Sequence, residues 1–488
     1  MNLMDALSVL PEAQVSSSVG DIPVTGITLD SRQVRPGDLF VAIRGEKSDG
    51  LDYAGEAIRR GARGVISDRL APQELASVVW VRVDAPRRAL ALVASQLAGH
   101  PSDRLVLAGV TGTNGKTTTT MLIEALLARR YGRAGFLGTV GYRTGRRELA
   151  APRTTPEAPE LQSLLAEMVS EGTPAAAMEV SSHALALDRV LGCRFDLAVF
   201  TNLTRDHLDF HRDMDDYFRA KTRLFGLRKA EAAAVVNVGD SYGARLGREL
   251  DPPVVTYSAL GGTADVQAEE ISCDLAQTAF RVRYAGGTFS VVSALAGRFN
   301  VENLLAASAA GIALKMPGDE IAAALSSVRR VPGRFERVET GRPYTVLVDY
   351  AHTPDALERL LTAVRDLTPH RILLVFGCGG DRDRGKRFPM GQIAGRLADV
   401  PILTSDNPRS EDPEAILSEV ERGVIDSGAA TYLRITDRRE AIAAALTLAD
   451  SKSVVVVAGK GHETTQVIGD VELPFDDREV VRELARQQ

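Results

Sequence analysis

Residues 105 to 120, LVLAGVTGTNGKTTTT, constrain the fold of this chain more than any other stretch. An apolar run ends in Gly112-Thr113-Asn114-Gly115-Lys116-Thr117 and a Leu- and Ala-rich segment follows, which spells strand, glycine turn and helix. That order builds a phosphate cradle: glycines let backbone N–H groups close around oxygens, and the helix N-terminus adds about half a positive charge. Lys116 is expected to reach the β and γ phosphates, and the Thr117 hydroxyl to ligate Mg2+. The pattern departs from GxxxxGK(S/T), because Val110 stands five residues before Gly115 and the extra glycine is Gly109. A plain strand-to-helix turn is the alternative.

A chain of 488 residues implies roughly two to four domains, and 44% hydrophobic with 25% charged residues is an ordinary globular balance. The formal charge of -6 offers no general attraction to nucleic acid or anionic lipid, so neither is expected as a partner. Cys193, Cys273 and Cys378 form no CxxC pair, which fits a reducing compartment. The opening MNLMDALSVLPEA has no basic segment before a long apolar core, and no run approaches the roughly 18 apolar residues of a membrane span. A cytoplasmic location is the expectation.

Short strand-like runs (DLFVAIRG, GVISD, VVWVRVD) and two helical stretches suggest a small α/β domain over residues 1–102. The pattern breaks at His100-Pro101-Ser102. A central domain, 103–334, follows, with all-apolar strands (AAAMEV, DLAVFTNL, AAAVVNV) that suit a parallel sheet covered by helices. Beyond a second break at Arg330-Val331-Pro332-Gly333-Arg334, the runs YTVLVDYAH, RILLVFGCGG, VPILTSDNP and SVVVVAGKG alternate with helical segments. They predict a third, doubly wound Rossmann-like domain over 335–488, with its polar clusters at the carboxyl ends of strands where such sheets bind ligands.

Further clusters carry chemistry. Glu179, in AAAMEVSSHAL, is a carboxylate at a strand end, suited to Mg2+ or simply to the surface, with Ser181, Ser182 and His183 behind it. TNLTRDHLDFHRD packs Asp206, His207, Asp209 and His211 closely enough to suggest zinc, although a phosphate loop calls for magnesium. Lys221, in DYFRAKTRLF, reads as a solvated helix lysine. Asn300 and Asn303, in GRFNVENLLAA, sit where Asn often caps a helix. Arg334, Asp349 and His352 lie at the second boundary and at a strand end, and an arginine there could stabilise a transferring phosphoryl group.

Taken in order, TGTNGKTTTT, MEVSSHAL, TNLTRDHLD, FNVENLLAA, PGRFE and DYAHTPDAL, with Asp30-Ser31-Arg32 and PGDLFVA near the start, resemble the ordered signature of the Mur ligase family. The resemblance implies an N-terminal domain for a uridine nucleotide, a central ATPase with a P-loop, and a C-terminal domain for an amino acid. It implies ATP contacts at Gly112, Thr113, Asn114, Gly115, Lys116, Thr117, Thr118, Asn303, Arg334, Asp349 and His352. It further implies magnesium sites at Thr117, Glu179 and His207, and catalytic work for Lys116, Glu179, His207, Lys221 and Arg334. The lysine matching Lys221 is carbamylated by CO2 in the family, which would make it an anion able to support Mg2+. Leu29, Ser31, Glu46, Lys47, Ser48, Thr154, Thr155, Ser181 and Arg189 match contacts to UDP-muramoyl-dipeptide; Leu187 does not match, since glutamine is usual there in some relatives.

GCGGDRDRGKR, TSDNPRSEDP and GKGHE resemble the amino-acid site of the family members that add meso-diaminopimelate. This implies contacts at Arg382, Asp406, Asn407, Pro408, Arg409, Gly459 and Glu463. Arg409 can take a carboxylate in a bidentate fork, and diaminopimelate carries one carboxylate more than lysine. The expected reaction is ATP-dependent amide formation through an acyl phosphate on the D-glutamate γ-carboxylate, by a monomer, with domain closure excluding water. A lysine-adding or folate-type glutamate ligase and a nucleotide-switch protein are the rivals.

Overall fold

The computed structural model describes residues 1–16, 22–45, 48–75 and 77–487. Glu46 and Lys47 lie outside the described residues. The chain divides into two compact units, Met1–Ala268 with Val282–Phe289 and Asn303–Ala324, and Glu269–Arg281 with Ser290–Glu302 and Leu325–Gln488.

The first unit opens with a five-stranded sheet in the order Gln14–Val15, Trp80–Arg82, Gly64–Ser67, Asp38–Val41, Gly26–Thr28. All its neighbours are parallel except the first pair. Helix Pro86–Leu97 begins with proline at its first turn, where no N–H is needed, and packs Leu90 and Val93 onto one face with Leu3 and Leu7. Phe40, Ala57 and Trp80 close the other face. Helix Leu3–Leu7 spans only five residues, too short for a periodic pattern, so among the described residues of 1–102 there are three α-helices where two helical stretches were expected.

The larger sheet of this unit has a parallel core in the order Val254–Ser258, Arg228–Asn237, Phe195–Phe200, Val106–Thr111, Ala175–Glu179, Gly135–Gly138. Strand Val106–Thr111 is central and feeds helix Lys116–Tyr131 directly. Gly109, the glycine outside the usual loop spacing, is explained by packing: a Cβ there would lie 2.7 Å from the Phe195 ring.

The second unit has a six-stranded sheet in the order Glu336–Val338, Thr345–Asp349, Ser453–Ala458, Arg371–Phe376, Val400–Leu403, Leu433–Arg434, parallel except at Glu336–Val338. Helices Pro354–Leu367, Arg387–Leu397 and Pro413–Asp426 cover one face and Arg438–Leu448 with Asp477–Gln487 the other, the doubly wound arrangement expected. Arg438 and Asp477 form a fully buried bidentate pair, both bonds at 2.7 Å, and Arg438 also donates to the Ala458 carbonyl at 3.0 Å. A hairpin, Thr465–Ile468 with Val471–Pro474, follows the last core strand. No helix among the described residues is long and apolar enough to cross a membrane.

Candidate functional site

The phosphate loop is held by close backbone approach. Gly112 has φ 150° and Gly115 φ 82°, and a Cβ on either would lie 1.9 Å from Thr201 Oγ1 or 2.3 Å from Asn303 Oδ1. Only glycine fits both conformation and space. Asn114 is fixed from the neighbouring strand end: its N–H donates to Asn202 Oδ1 at 2.9 Å, and its carbonyl accepts from Thr201 Oγ1 at 2.6 Å. Lys116 folds back so that Nζ donates to the carbonyls of Gly112 and Thr113, at 3.1 and 2.8 Å.

Lys221 is not the solvated lysine its helix suggests. It is 1% exposed, donates to the Gly112 carbonyl at 2.7 Å, and has Nζ 4.4 Å from the centre of the Tyr217 ring. Burial, and then the charge of Lys116, push its basicity well below that of an ordinary lysine. A helix segment that turns this side chain inward looks like a surface pattern in one dimension, because Arg219, Thr222 and Arg223 flank it.

Glu179 ends its strand with a buried carboxylate that accepts from the Thr139 N–H at 2.7 Å and the Thr139 hydroxyl at 3.2 Å. The surface reading of Glu179 is therefore corrected. Thr139 Oγ1 also lies 3.0 Å from Thr154 Oγ1, and Thr155 donates to the Glu179 carbonyl at 2.9 Å. Ser181 caps helix Ser182–Ala186, accepting from the Ala184 N–H at 3.1 Å, and its own N–H donates to Thr155 Oγ1. Arg189 donates to the Thr155 carbonyl at 3.3 Å and is ion-paired with Glu157 at 2.9 Å. Leu187 is the C-cap of the same short helix and supplies no polar group.

His207 sits at φ 53° with its ring 4.8 Å from that of His183. Burial lowers the basicity of both, His183 to about 4, with the His207 and His211 rings adding to the effect on His183. Among the described residues, no group of three or more His, Cys, Asp or Glu is arranged to hold a metal ion, so the zinc reading of Asp206, His207, Asp209 and His211 gains no ligand set. Asn300 and Asn303 are not helix caps: the helix starts at Arg298, Asn300 donates to the Ala296 carbonyl, and Asn303 Oδ1 accepts from Thr119.

A cavity of about 840 Å³ lies in the first unit between the small sheet and the segment 152–160. Leu29, Ser31 and Ser48 line it, together with Asp30, Arg32, Tyr53, Glu56, Arg87, Arg153 and Glu160. Ser31 donates to Glu56 at 2.9 Å, and the Asp30–Arg32 pair is bidentate. Thr154, Thr155, Ser181 and Arg189 do not line the cavity, although Pro152, Arg153 and Glu157 beside them do.

In the second unit, the polar groups gather at strand ends. Asp349 accepts from the N–H groups of Phe335 and Ala351 at 2.6 and 2.8 Å; burial raises its pKa, against the opposing charge of Arg334. Arg334 stacks its guanidinium 4.7 Å from the Tyr350 ring centre, and its buried Nε has no hydrogen-bond partner among the described residues. His352 is held by the Tyr350 carbonyl at 2.8 Å, and burial lowers its basicity.

Asp406, Asn407 and Pro408 are buried after strand Val400–Leu403. Arg409 follows at φ 53°, donating to the Gly380 carbonyl at 2.7 Å. Gly459, φ 115°, approaches Asp406 so closely that a Cβ would lie 2.6 Å from its carboxylate. Asn407 Nδ2 donates to Glu463 at 3.0 Å. Arg382 is exposed, so the fold brings Asp406, Asn407, Arg409, Gly459 and Glu463 together while Arg382 stands at the surface. Thr139, Thr201, Asn202 and Lys460 hold these groups: Thr201, Asn202 and Lys460 stand inside TNLTRDHLD and GKGHE without having been singled out there, and Thr139 lies in no motif but follows a strand end.

A parallel sheet whose central strand enters a glycine cradle with a lysine at the helix start defines a nucleoside-triphosphate enzyme of the phosphate-loop class. Three family models match: the Mur ligase family catalytic domain over 23–97, the Mur ligase middle domain over 110–311, and the Mur ligase glutamate ligase domain over 333–461. A UDP-N-acetylmuramoyl-L-alanyl-D-glutamate--2,6-diaminopimelate ligase of Geobacter metallireducens is 45% identical, covering 100% of this chain and 99% of the relative. One of Streptomyces coelicolor is 46% identical over 97% and 94%. A solved structure of a ligase of that name superposes with TM-score 0.71 at 34% identity, covering 100% and 99% of the two chains. The MurF ligase of Thermotoga maritima, solved with ADP, shares the fold at TM-score 0.64 and 20% identity, over 96% and 99%. The chain belongs to the Mur ligase family, and it is an ATP-dependent amide-forming ligase.

Proposed function

We propose that this enzyme joins meso-2,6-diaminopimelate to the D-glutamate γ-carboxylate of UDP-N-acetylmuramoyl-L-alanyl-D-glutamate, a step of peptidoglycan precursor synthesis in the cytoplasm. The observation that carries this reading is the end-to-end similarity, at 45% identity, to a ligase named for those two substrates. The cluster of Asp406, Asn407, Arg409 and Glu463 supports it, because it sets an arginine cation, anchored through Nη1 on the Gly380 carbonyl, in one cluster with a carboxylate that can accept from an ammonium group.

In the first unit, Gly112 to Thr118 hold the ATP phosphates with Lys116 as the cation, and Asn303 contributes from the helix behind the loop. In the second, Arg334, Asp349 and His352 are assigned to the nucleotide; the unsatisfied Arg334 Nε is a donor waiting for an anion. Thr117 and Glu179 suit Mg2+, since a hydroxyl and a buried carboxylate are hard donors, and His207 is assigned to it by resemblance. Bound there, Mg2+ would supply charge neutralisation between the substrate carboxylate and the phosphates. Lys221, with its weakened basicity, keeps amine in the neutral form that reacts with CO2, giving a carbamate and a proton. The cavity at Leu29, Ser31 and Ser48 takes the uridine end of the substrate, with Thr154, Thr155, Ser181 and Arg189 for the peptide end; Glu46 and Lys47 stay assigned by resemblance. Domains 1–102, 103–334 and 335–488 form the functional division, in a monomer with small-molecule partners only.

The substrate carboxylate attacks the γ-phosphorus and ADP leaves. The diaminopimelate amine, oriented through Arg409 and Glu463, then attacks the acyl carbon; phosphate leaves and the amine proton goes to solvent. The test is phosphate release from Mg-ATP with the UDP-muramoyl-dipeptide present. Release that requires diaminopimelate supports the reading. Release with L-lysine instead overturns the acceptor assignment, and release indifferent to any amine overturns the ligase reading.

A further inference from the structure

Lys460 is completely buried at the end of strand Ser453–Ala458, yet nothing in the reaction described above uses it. Its Nζ donates to Asn407 Oδ1 and to Glu463 Oε2, both at 3.0 Å. Asn407 Oδ1 accepts a second bond, from the Val467 N–H at 3.0 Å. Two donors on one oxygen decide which way the carboxamide faces, and its Nδ2 is thereby turned onto Glu463 Oε2.

The consequence falls on Glu463. Its Oε2 accepts from both Lys460 and Asn407, which locks the carboxylate plane, while the side chain remains about one-third exposed at 32%. A carboxylate fixed through one oxygen presents the other in one direction. The Lys460 charge, itself fully buried, also stops that half-buried carboxylate from being an uncompensated anion.

We propose that Lys460 is a positioning residue for acceptor selection: it holds Glu463, directly and through Asn407, in the one orientation that receives the ammonium group of the amino acid. Lys460 does not touch the acceptor; it acts through Glu463. The buried cation offsets the carboxylate, so the pocket prefers a zwitterionic acceptor centre over a bare amine. This inference rests on the diaminopimelate reading above, and wild-type turnover with diaminopimelate tests that reading separately.

The experiment is a double-mutant cycle on Lys460→Met and Glu463→Gln in the full-length enzyme, measuring KM and kcat for diaminopimelate and KM for ATP. Folding is checked by thermal melting. Lys460→Met is expected to raise the diaminopimelate KM about 10- to 100-fold, the range of one charge-assisted bond, with the ATP KM unchanged. The double variant is expected to be no worse than the poorer single one, because both changes break the same contact. If Lys460→Met does not yield folded protein, Lys460→Gln, which keeps a donor without the charge, replaces it in the cycle. An unchanged diaminopimelate KM, effects that multiply in the double variant, or an equal rise in the ATP KM would each overturn the proposal, the last by making Lys460 merely structural.

Discussion

Replacing Gly112 by alanine tests the phosphate loop at its tightest point. The new Cβ would lie 1.9 Å from Thr201 Oγ1 and 3.1 Å from both the N–H nitrogen and the carbonyl oxygen of Asn202, at a backbone φ of 150°. Holding alanine at such a φ costs about 1–3 kcal/mol. Displacing Thr201 costs a further 1–3 kcal/mol or so by overpacking, and breaks its 2.6 Å bond to the Asn114 carbonyl, which contributes about 1 kcal/mol. The sum is at least about 3 kcal/mol, or about 6–12 °C in the melting of a domain of this size. Thr201→Ala in the same chain removes the closest contact and should return roughly 1–3 kcal/mol of that loss. Catalysis should not return with it, because alanine still strains the backbone at this φ, and the carbonyl that Lys116 and Lys221 share belongs to the same residue. Urea unfolding and ATP-dependent phosphate release on the single and double variants make the comparison. A single variant with the wild-type midpoint and wild-type ATP KM would refute the argument outright.

Arg409→Ala is expected to weaken diaminopimelate kcat/KM by about 1.5–3 kcal/mol, or about 10- to 100-fold, and steady-state kinetics that find no change would remove the arginine from acceptor recognition. Lys221→Arg should lose activity and, unlike the wild type, incorporate no isotopically labelled CO2 detectable by carbon NMR; labelling of the variant, or none of the wild type, speaks against a carbamate. His183 is neutral in the folded chain down to about pH 4, whereas an unfolded histidine protonates near 6.5. Between those values the unfolded state binds more protons, so this residue's contribution to stability is lost as pH falls from about 6.5 to about 4. His183→Gln should flatten the decline of the urea midpoint over that window, and an unchanged slope would exclude His183 as its source.

Much of the fold could be read from the sequence because buried parallel strands are continuous apolar runs: Val106–Thr111, Ala175–Glu179, Phe195–Phe200, Arg371–Phe376 and Ser453–Ala458 all fall where such runs were seen. The strands at Val266–Cys273, Thr278–Tyr284 and Gly287–Ser293 were not read, since their alternating, half-exposed residues give no such run. The phosphate loop was legible because its glycines and lysine are contiguous. Lys221 was not, because its burial depends on which way one helix turns, and its partner Gly112 lies 109 residues away. Thr139 escaped for the same reason, since its contact with Glu179 crosses the fold; Lys460 stands in GKGHE three residues before Glu463, but its bond to Asn407, 53 residues away, is one that no local spacing encodes.

Arg409 occupies a left-handed backbone conformation clamped on both sides by the hairpin, its N–H to the Val467 carbonyl at 3.1 Å and its carbonyl to the Gly469 N–H at 2.7 Å. Left-handed geometry is tolerated by asparagine and aspartate better than by most residues. A change of acceptor preference is therefore channelled: a shift away from the diacid that runs through Asn or Asp at this position keeps the turn, while one through a β-branched residue must first loosen the hairpin. The shape of the main chain, as much as the charge at the end of the side chain, limits which amino acids this site can be redesigned to accept.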